Sequence, residues 1–448
     1  MAYSPLWQKP FRVFTEQNID QIPQLRRLSE EQLFAMKVVA KVLPFRVNQY
    51  VIDELIDWEN IPDCPIFQLT FPQKEMLEPE HFEEMASLMS NGASEKILRE
   101  TAFQFHQQLN HHPADQTTLN VPVLDDIPLP GMQHKYERTV LFFPSQGQTC
   151  HSFCTYCFRW PQFVGDHALR FSSRETSHLL AYLKEHREVT DILVTGGDPM
   201  VMRTEVLERI LEPLLGPQYS HIDSIRIGTK ALSFWPYRFW SDKDSDSLLR
   251  LFERLTRAGK HVAIMAHFSH WRELETTAVQ KAIGKIQGTG AIIRSQAPIL
   301  NHINADPEVW ARMWQMQVRL GIIPYYMFVA RDTGSRRHFE IPLARALDIY
   351  QKAIKKVSGL ARKARGPSMS CGPGKVEVQG VADIKGEKVF ILRFLQARNP
   401  DWVDQPFFAA YDSQVSWLDD LRPAFGEKRF FFEDEYDAMR DAAEVMID

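Results

Sequence analysis

The sequence predicts an α/β protein built as a partial (β/α)6 barrel, preceded by an N-terminal helical region and followed by a C-terminal α+β extension. Three observations carry this. From about residue 140, short β-branched or aromatic runs alternate with amphipathic helical patterns, as parallel strands joined by helical crossovers do. Six such runs occur, at 140–144, 192–195, 224–228, 261–268, 291–296 and 323–329, and six units suit an open barrel better than a closed one of about eight. The flanks read differently, which divides the chain into 1–135, 136–345 and 346–448.

In chain order, the first region holds helical stretches at 30–42, 79–90 and 94–108 separated by proline-containing connections. They are expected to cover the barrel. Within the barrel, Ser172 and Glu175 have the spacing of a capping box. Leu248, Leu251, Phe252 and Leu255 make an apolar stripe that stops at Gly259. Asp306 can cap a helix with Pro307 at its first position; Val309, Trp310, Met313, Met316 and Leu320 then share one face, and Gly321 ends it. The aromatic and Met residues of these stripes are expected to be core. Beyond 345 come a helix, a Gly/Pro/Ser segment at 366–375, strand patterns such as 388–394, and an acidic solvated helix or tail at 433–448.

With 448 residues, 44% hydrophobic and 24% charged, the chain can bury a large core. Its net charge of −5 provides no global basic surface, so a small-molecule partner is expected and a nucleic acid is not. The stretch 1–14 is broken by Pro5 and Pro10 and has no signal-peptide core, and no run of 18 apolar residues occurs. A cytoplasmic location without membrane contact is expected. Three of the five cysteines fall within eight residues, a spacing unsuited to a disulfide framework and suited to metal binding in a reducing compartment.

Those three lie in Cys150, His151, Ser152, Phe153, Cys154, Thr155, Tyr156 and Cys157, directly after the first candidate strand. Thiolates so spaced can surround one four-iron cubane, and three cysteines leave one iron open to another ligand. A structural zinc needs four closed ligands; Cys64 and Cys371 are isolated in sequence, although His151 could complete a tetrahedron. Three unrelated core cysteines are the remaining alternative. Thr195, Gly196, Gly197, Asp198 and Pro199 end the second strand, where barrel enzymes build their sites on βα loops. Bare glycines let a ligand approach the backbone and Asp198 adds charge; a plain tight turn has the same pattern.

The cysteine spacing of x3 then x2, with the aromatic Tyr156 before Cys157, resembles the signature of the radical S-adenosylmethionine (SAM) superfamily. The resemblance implies a [4Fe–4S] cluster on Cys150, Cys154 and Cys157, with SAM chelated at the open iron. It further implies cofactor contacts from Tyr156, Gly196, Gly197 and Asp198, and an external electron donor whose electron splits SAM to a radical. Further strings are similar to the lysine 2,3-aminomutase family from about residue 25 to 400: Pro130-Gly131-Met132-Gln133-His134-Lys135-Tyr136, Cys157-Phe158-Arg159, Arg226-Ile227-Gly228-Thr229, His267-Phe268-Ser269-His270, Pro324-Tyr325-Tyr326 and His338-Phe339. Family members hold pyridoxal 5′-phosphate (PLP) as a Schiff base on a lysine in a late Gly-rich segment, and Gly372-Pro373-Gly374-Lys375 stands there. By resemblance, Lys375 is the catalytic PLP lysine; Lys135, Tyr136 and Arg138 contact the cofactor; and Arg159 pairs the substrate α-carboxylate with its bidentate fork. The implied reaction moves the α-amino group of an amino acid to Cβ.

The pattern departs from the lysine-acting members where they carry two aspartates for the distant ammonium group. Alignment puts Arg331 at the first position, one residue before Asp332, and Ser368 at the second. Glutamate-acting relatives show a similar basic and small polar pair, so a glutamate-like substrate is expected, since opposite charges must meet in a desolvated pocket. A one-residue slip restoring Asp332 would instead give lysine 2,3-aminomutase proper. The C-terminal cysteine cluster that binds zinc in lysine enzymes has no counterpart in 376–448, so no zinc is expected. A radical SAM enzyme without PLP and a non-enzymatic iron–sulfur protein are the competing readings, and the oligomeric state, homo-oligomer included, stays open.

Overall fold

The computed structural model describes residues 10–109, 119–165 and 171–445. Residues 1–9 of the stretch read for a leader, and 446–448 of the acidic tail, lie outside these. One mixed sheet of eleven strands organises the molecule: β1 (Met132–Tyr136), β2 (Thr139–Phe142), β3 (Asp191–Val194), β4 (Ser224–Thr229), β5 (His261–His267), β6 (Ile292–Ile299), β7 (Ile323–Val329), β8 (Arg365–Ser370), β9 (Gly374–Ile384), β10 (Glu387–Ala397) and β11 (Pro406–Ala410). The strands lie side by side in chain order. From β2 to β8 neighbouring strands are parallel, and β1 and β9–β11 add antiparallel edges. The helices Thr176–Glu185, Thr204–Leu211, Ser245–Arg257, Thr277–Gln287, Pro307–Arg319 and Leu343–Lys355 fill the six crossovers.

The two-residue period of the strands sorts their side chains. Val140, Phe142, Ile192, Val194, Ile225, Ile227, Ile264 and Ile293 form one core with the crossover helices. The alternate positions, including Leu141, Leu193, Arg226, Gly228, Met265, His267 and Gln296, face a common cavity. The β1 edge meets the β8–β10 side of the sheet: Lys135 on β1 donates to the Cys371 carbonyl just past β8, and Arg398, just past β10, donates to Gly372 O at 2.9 Å and to Asn120 Oδ1 at 2.6 Å. The sheet is therefore curved round on itself, with the cavity on its concave side.

The helices Glu30–Val42 and Pro79–Ser90 have the bounds the sequence predicts. Side chains of Glu30–Val42 and Glu95–Leu109 share a core with Trp160, Phe234, Trp235 and Phe339 from segments that follow the parallel strands, which seats the N-terminal region over the strands' carboxyl ends. Asp306 caps its helix by accepting from Glu308 N at 2.8 Å, and Gly259 and Gly321 close theirs at φ +87° and +72°.

Two local expectations are corrected. Ser172 and Glu175 make no capping box: the helix begins at Thr176 with an uncapped Glu175, because the Ser173 hydroxyl takes the Glu175 N–H at 3.0 Å. The Gly/Pro/Ser segment at 366–375 lies outside the six predicted strands, yet it supplies β8, a seventh parallel strand, and the start of β9. Gly366, at φ +141°, lies where a Cβ would stand 2.2 Å from the Met327 carbonyl, so the absent side chain lets the strands approach. Among the described residues no helix is long and apolar enough to cross a membrane.

Candidate active site

A cavity of about 300 Å3 opens at the carboxyl ends of the parallel strands, lined by Cys150, Cys154 and Cys157 among others. Backbone pairing with the N-terminal region fixes the loop that carries the thiols. Phe153 N donates to Arg46 O at 2.8 Å and Thr155 N to Leu69 O at 3.0 Å, the Thr155 hydroxyl donates to Gln68 O at 2.7 Å, and buried Asn48 donates through Nδ2 to His151 O at 3.2 Å and Phe234 O at 2.7 Å. Burial pushes all three thiols up, Cys154 to about 12, and the neighbouring sulfurs and Asp198 raise Cys150 further. A metal in place of the protons relieves that cost. The sulfurs are spread wider than one zinc ion requires. Among the described residues the one trio of such ligand atoms within 4.8 Å of one another is that of His134, His186 and Glu188, whereas sulfurs sharing a tetrahedral zinc at ~2.3 Å lie about 4 Å apart.

Gly196 and Gly197 line the cavity, and the reason for glycine is visible in the cysteine loop. A Cβ on Gly197 would stand 2.5 Å from both Thr149 N and Thr149 O, and Gly196 adopts φ +145° with Gln148 Nε2 2.3 Å from its would-be Cβ. The two loops thus touch backbone to backbone just before Cys150. Asp198 sits behind them, outside the cavity lining. Its carboxylate accepts from Met200 N at 2.9 Å, Thr229 Oγ1 at 2.7 Å and Lys230 N at 2.9 Å, and burial raises it to about 6 despite these bonds. Asp198 therefore braces the ends of β3 and β4. Tyr156 lines the cavity and meets Ser269 Oγ through its hydroxyl at 3.3 Å.

The opposite wall carries Lys375, whose ammonium lies 4.3 Å from the Tyr326 ring centroid and donates to Gln396 Oε1 at 3.0 Å. Burial, and then the charges of Arg226, Arg365 and Arg331, lower this lysine to about 7, which leaves much of the amine neutral and nucleophilic near neutrality. Arg159 and Arg331 place their guanidinium carbons 5.1 and 4.4 Å from the ring centroid of Phe158. Burial, then the Arg331 charge, brings Arg159 down to about 10, and Arg331 Nη1 is buried without a hydrogen-bond partner. Among the described residues, no Asp or Glu lines the cavity.

Several residues singled out in the sequence lie elsewhere. Arg138 is exposed on the β1–β2 turn, paired with Glu137. Lys135 is drawn to the Cys371 carbonyl, outside the lining, while Tyr136 lines the cavity and burial raises its phenol. Ser368 is fully buried with its hydroxyl on Met327 O at 3.4 Å; Ser370, two residues on, lines the cavity instead. Asp332 is buried outside the lining that Arg331 joins. Lining residues the sequence did not mark as site residues include Arg226, Lys230 and Gln396. Arg226 is held by Asp191, and Lys230 by the fully buried Glu273 at 2.6 Å. Inward parity along β4, carried one residue past its end, was the available signal for both.

A curved α/β sheet with three thiols, a desolvated lysine and buried arginines at the carboxyl ends of its strands is the frame of a cofactor-dependent enzyme, here a radical SAM isomerase of the 2,3-aminomutase type. The chain belongs to the lysine 2,3-aminomutase family of radical SAM enzymes. It is 30% identical over 404 residues to a putative L-lysine 2,3-aminomutase of Aquifex aeolicus, covering 90% of this chain and 94% of that one. The L-lysine 2,3-aminomutase of Bacillus subtilis is 24% identical over 391 residues, 87% of this chain and 72% of its own. The glutamate 2,3-aminomutase of Clostridioides difficile is 28% identical over 212 residues, 47% of each. No family model matches the chain. A radical SAM methyltransferase from Sphaerobacter thermophilus aligns with 66% of this chain and 94% of its own at 14% identity and a TM-score of 0.38, too loose a likeness to argue from. The family implies a [4Fe–4S] cluster and SAM.

Proposed function

We propose that this protein is a PLP-dependent 2,3-aminomutase acting on a glutamate-like amino dicarboxylate. The observation that carries the substrate is the pair Arg159 and Arg331: two buried guanidiniums beside one phenylalanine ring, in a cavity whose wall holds no carboxylate among the described residues. Buried charge of one sign calls for a ligand of the other, and two carboxylates on one small molecule answer both.

The residues fit the cofactors. Cys150, Cys154 and Cys157 would hold the cluster, the Gly196–Gly197 backbone and Tyr156 would border SAM, and Lys375 with Tyr136 would hold PLP. When bound, the cluster with SAM supplies a radical that takes hydrogen from Cβ, and PLP supplies the carbonyl that carries the migrating nitrogen. The chain positions and excludes. Arg159 fixes the α-carboxylate, Arg331 the distal one, the near-neutral Lys375 amine offers the nucleophile, and the N-terminal region closes the strands' carboxyl ends against water. We take the curved sheet as a partial barrel, with 1–135 as its cover and 346–448 as the extension bearing Lys375.

The test is anaerobic reconstitution of the cluster, addition of SAM, PLP and a reductant, and a screen of amino acids for the β-isomer. Glutamate is expected to be converted and lysine not. Arg331→Gln should raise KM for glutamate about 10–100-fold, the worth of a charged hydrogen bond. Conversion of lysine with glutamate untouched overturns the substrate. Cleavage of SAM with unaltered PLP absorbance in wild type and Lys375→Ala overturns the PLP assignment.

A further inference from the structure

On the outer face of β1, away from the cavity, three ligand-bearing side chains meet. His134 comes from β1, and His186 and Glu188 from the turn that ends the helix Thr176–Glu185. One nitrogen of each imidazole and one carboxylate oxygen all lie within 4.8 Å of each other. We propose that His134, His186 and Glu188 form a binding site for one borderline divalent transition-metal ion such as zinc. Nothing in the sequence points to it: His134 stands 52 and 54 residues from His186 and Glu188, which are two apart in a turn, and the expectation was a chain without zinc.

The surroundings prepare the donors. His134 Nε2 lies 3.0 Å from the Glu137 carbonyl and Nδ1 2.6 Å from the Tyr182 hydroxyl. A carbonyl only accepts, so the proton sits on Nε2 and the Nδ1 lone pair is the donor, the arrangement usual for a ligating histidine with its far N–H anchored to backbone. The His186 ring stacks on Tyr182, one turn earlier, at 3.9 Å between centroids. The turn bearing Glu188 is tied to the β1–β2 turn, since Arg138 Nη1 donates to Glu188 O at 3.3 Å and Thr190 N to Arg138 O at 3.1 Å. His186 Nδ1 meets Glu188 Oε1 at 2.7 Å. An ion would replace the proton of that bond and displace the Tyr182 hydroxyl from Nδ1. Partial exposure of His186 and Glu188, 33% and 38% of their side chains, leaves room for water as a further ligand. Two imidazoles and one carboxylate suit zinc, cobalt or nickel over calcium or magnesium. An ion here would tie β1 to its covering helix two residues before Tyr136 enters the cavity.

The cluster-loaded protein is dialysed to equilibrium against graded free Zn2+, and zinc and iron per chain are measured by elemental analysis. Saturable binding of about one zinc per chain is expected, weakened at least tenfold in His186→Ala and in Glu188→Gln, since loss of a ligand costs no less than loss of its supporting partner. Iron content should be the same in all three, which separates this site from the cysteines. Absence of saturable binding in wild type, or affinity unchanged in both variants, overturns the proposal.

Discussion

At Gly197 a single hydrogen in place of a methyl group decides where Cys150 can sit. The Thr149 backbone is too close for any Cβ, so Gly197→Ala must move that backbone, and Cys150 is the next residue. The variant is expected to keep its circular dichroism and to hold less than half the wild-type iron after anaerobic reconstitution; full iron content would show that the loop yields freely. Lys375 gives a pH dependence. Its folded value near 7 lies below the ordinary 10.5, so between those values the unfolded chain binds the extra proton and stability rises with pH. The neutral amine also appears early, so reductive methylation of Lys375, followed by peptide mass spectrometry, should reach half its plateau rate near pH 7. A midpoint near that of exposed lysines would show that the side chain is not desolvated. The glycine motif could be found in the sequence because Thr195-Gly196-Gly197-Asp198-Pro199 is one unbroken string at a strand end. The arginine and lysine partners could not, because Arg226 finds Asp191 and Lys230 finds Glu273 across 35 and 43 residues.

Between elements, the chief device is the attachment of the cysteine loop to the N-terminal strand Arg46–Asn48. Asn48 is fully buried, and besides its two carbonyl partners its Oδ1 accepts from Val51 N at 3.1 Å and its own N–H donates to Ser152 Oγ at 3.0 Å. Asn48→Ala strips the partners from two buried carbonyls and one buried N–H, a cost of about 1–3 kcal/mol for each group left unsatisfied. Chelator-driven iron loss from the reconstituted protein should be several-fold faster than in wild type, and an unchanged rate would mean that the remaining backbone bonds suffice. The crossover helices and the strands they join were legible because each has an apolar face in its own period and several have caps. The strand β8 was not. Gly366, Pro367, Ser368 and Ser370 have little strand propensity, and pairing with β7 and β9 imposes the conformation. Ser368 and Ser370 share one face of that strand, so what separates them is depth along it, which the sequence does not show: Ser370 lines the cavity and Ser368 does not.

At the scale of the whole molecule, the cavity exists because the β1 edge is tied back to the β8–β10 side of the sheet, which a pattern of local elements does not reveal. The sequence placed Lys375 and the cysteines in different regions of the chain; the curvature brings them to one wall-to-wall site. Arg398 is central to this, since its guanidinium spans Gly372 O in the turn before Lys375 and Asn120 Oδ1 beside β1. Removing it leaves the parallel strands, their helices and the core between them intact, but frees the turn that aims Lys375. Arg398→Ala is therefore expected to speed amide hydrogen exchange in both 132–136 and 371–376, while the centres of β4 and β5 keep wild-type protection. The paired response is the discriminating feature: faster exchange in the 371–376 turn alone would make Arg398 a local brace, and the Lys135 contact with Cys371 would then hold β1 to the β8–β9 turn without it.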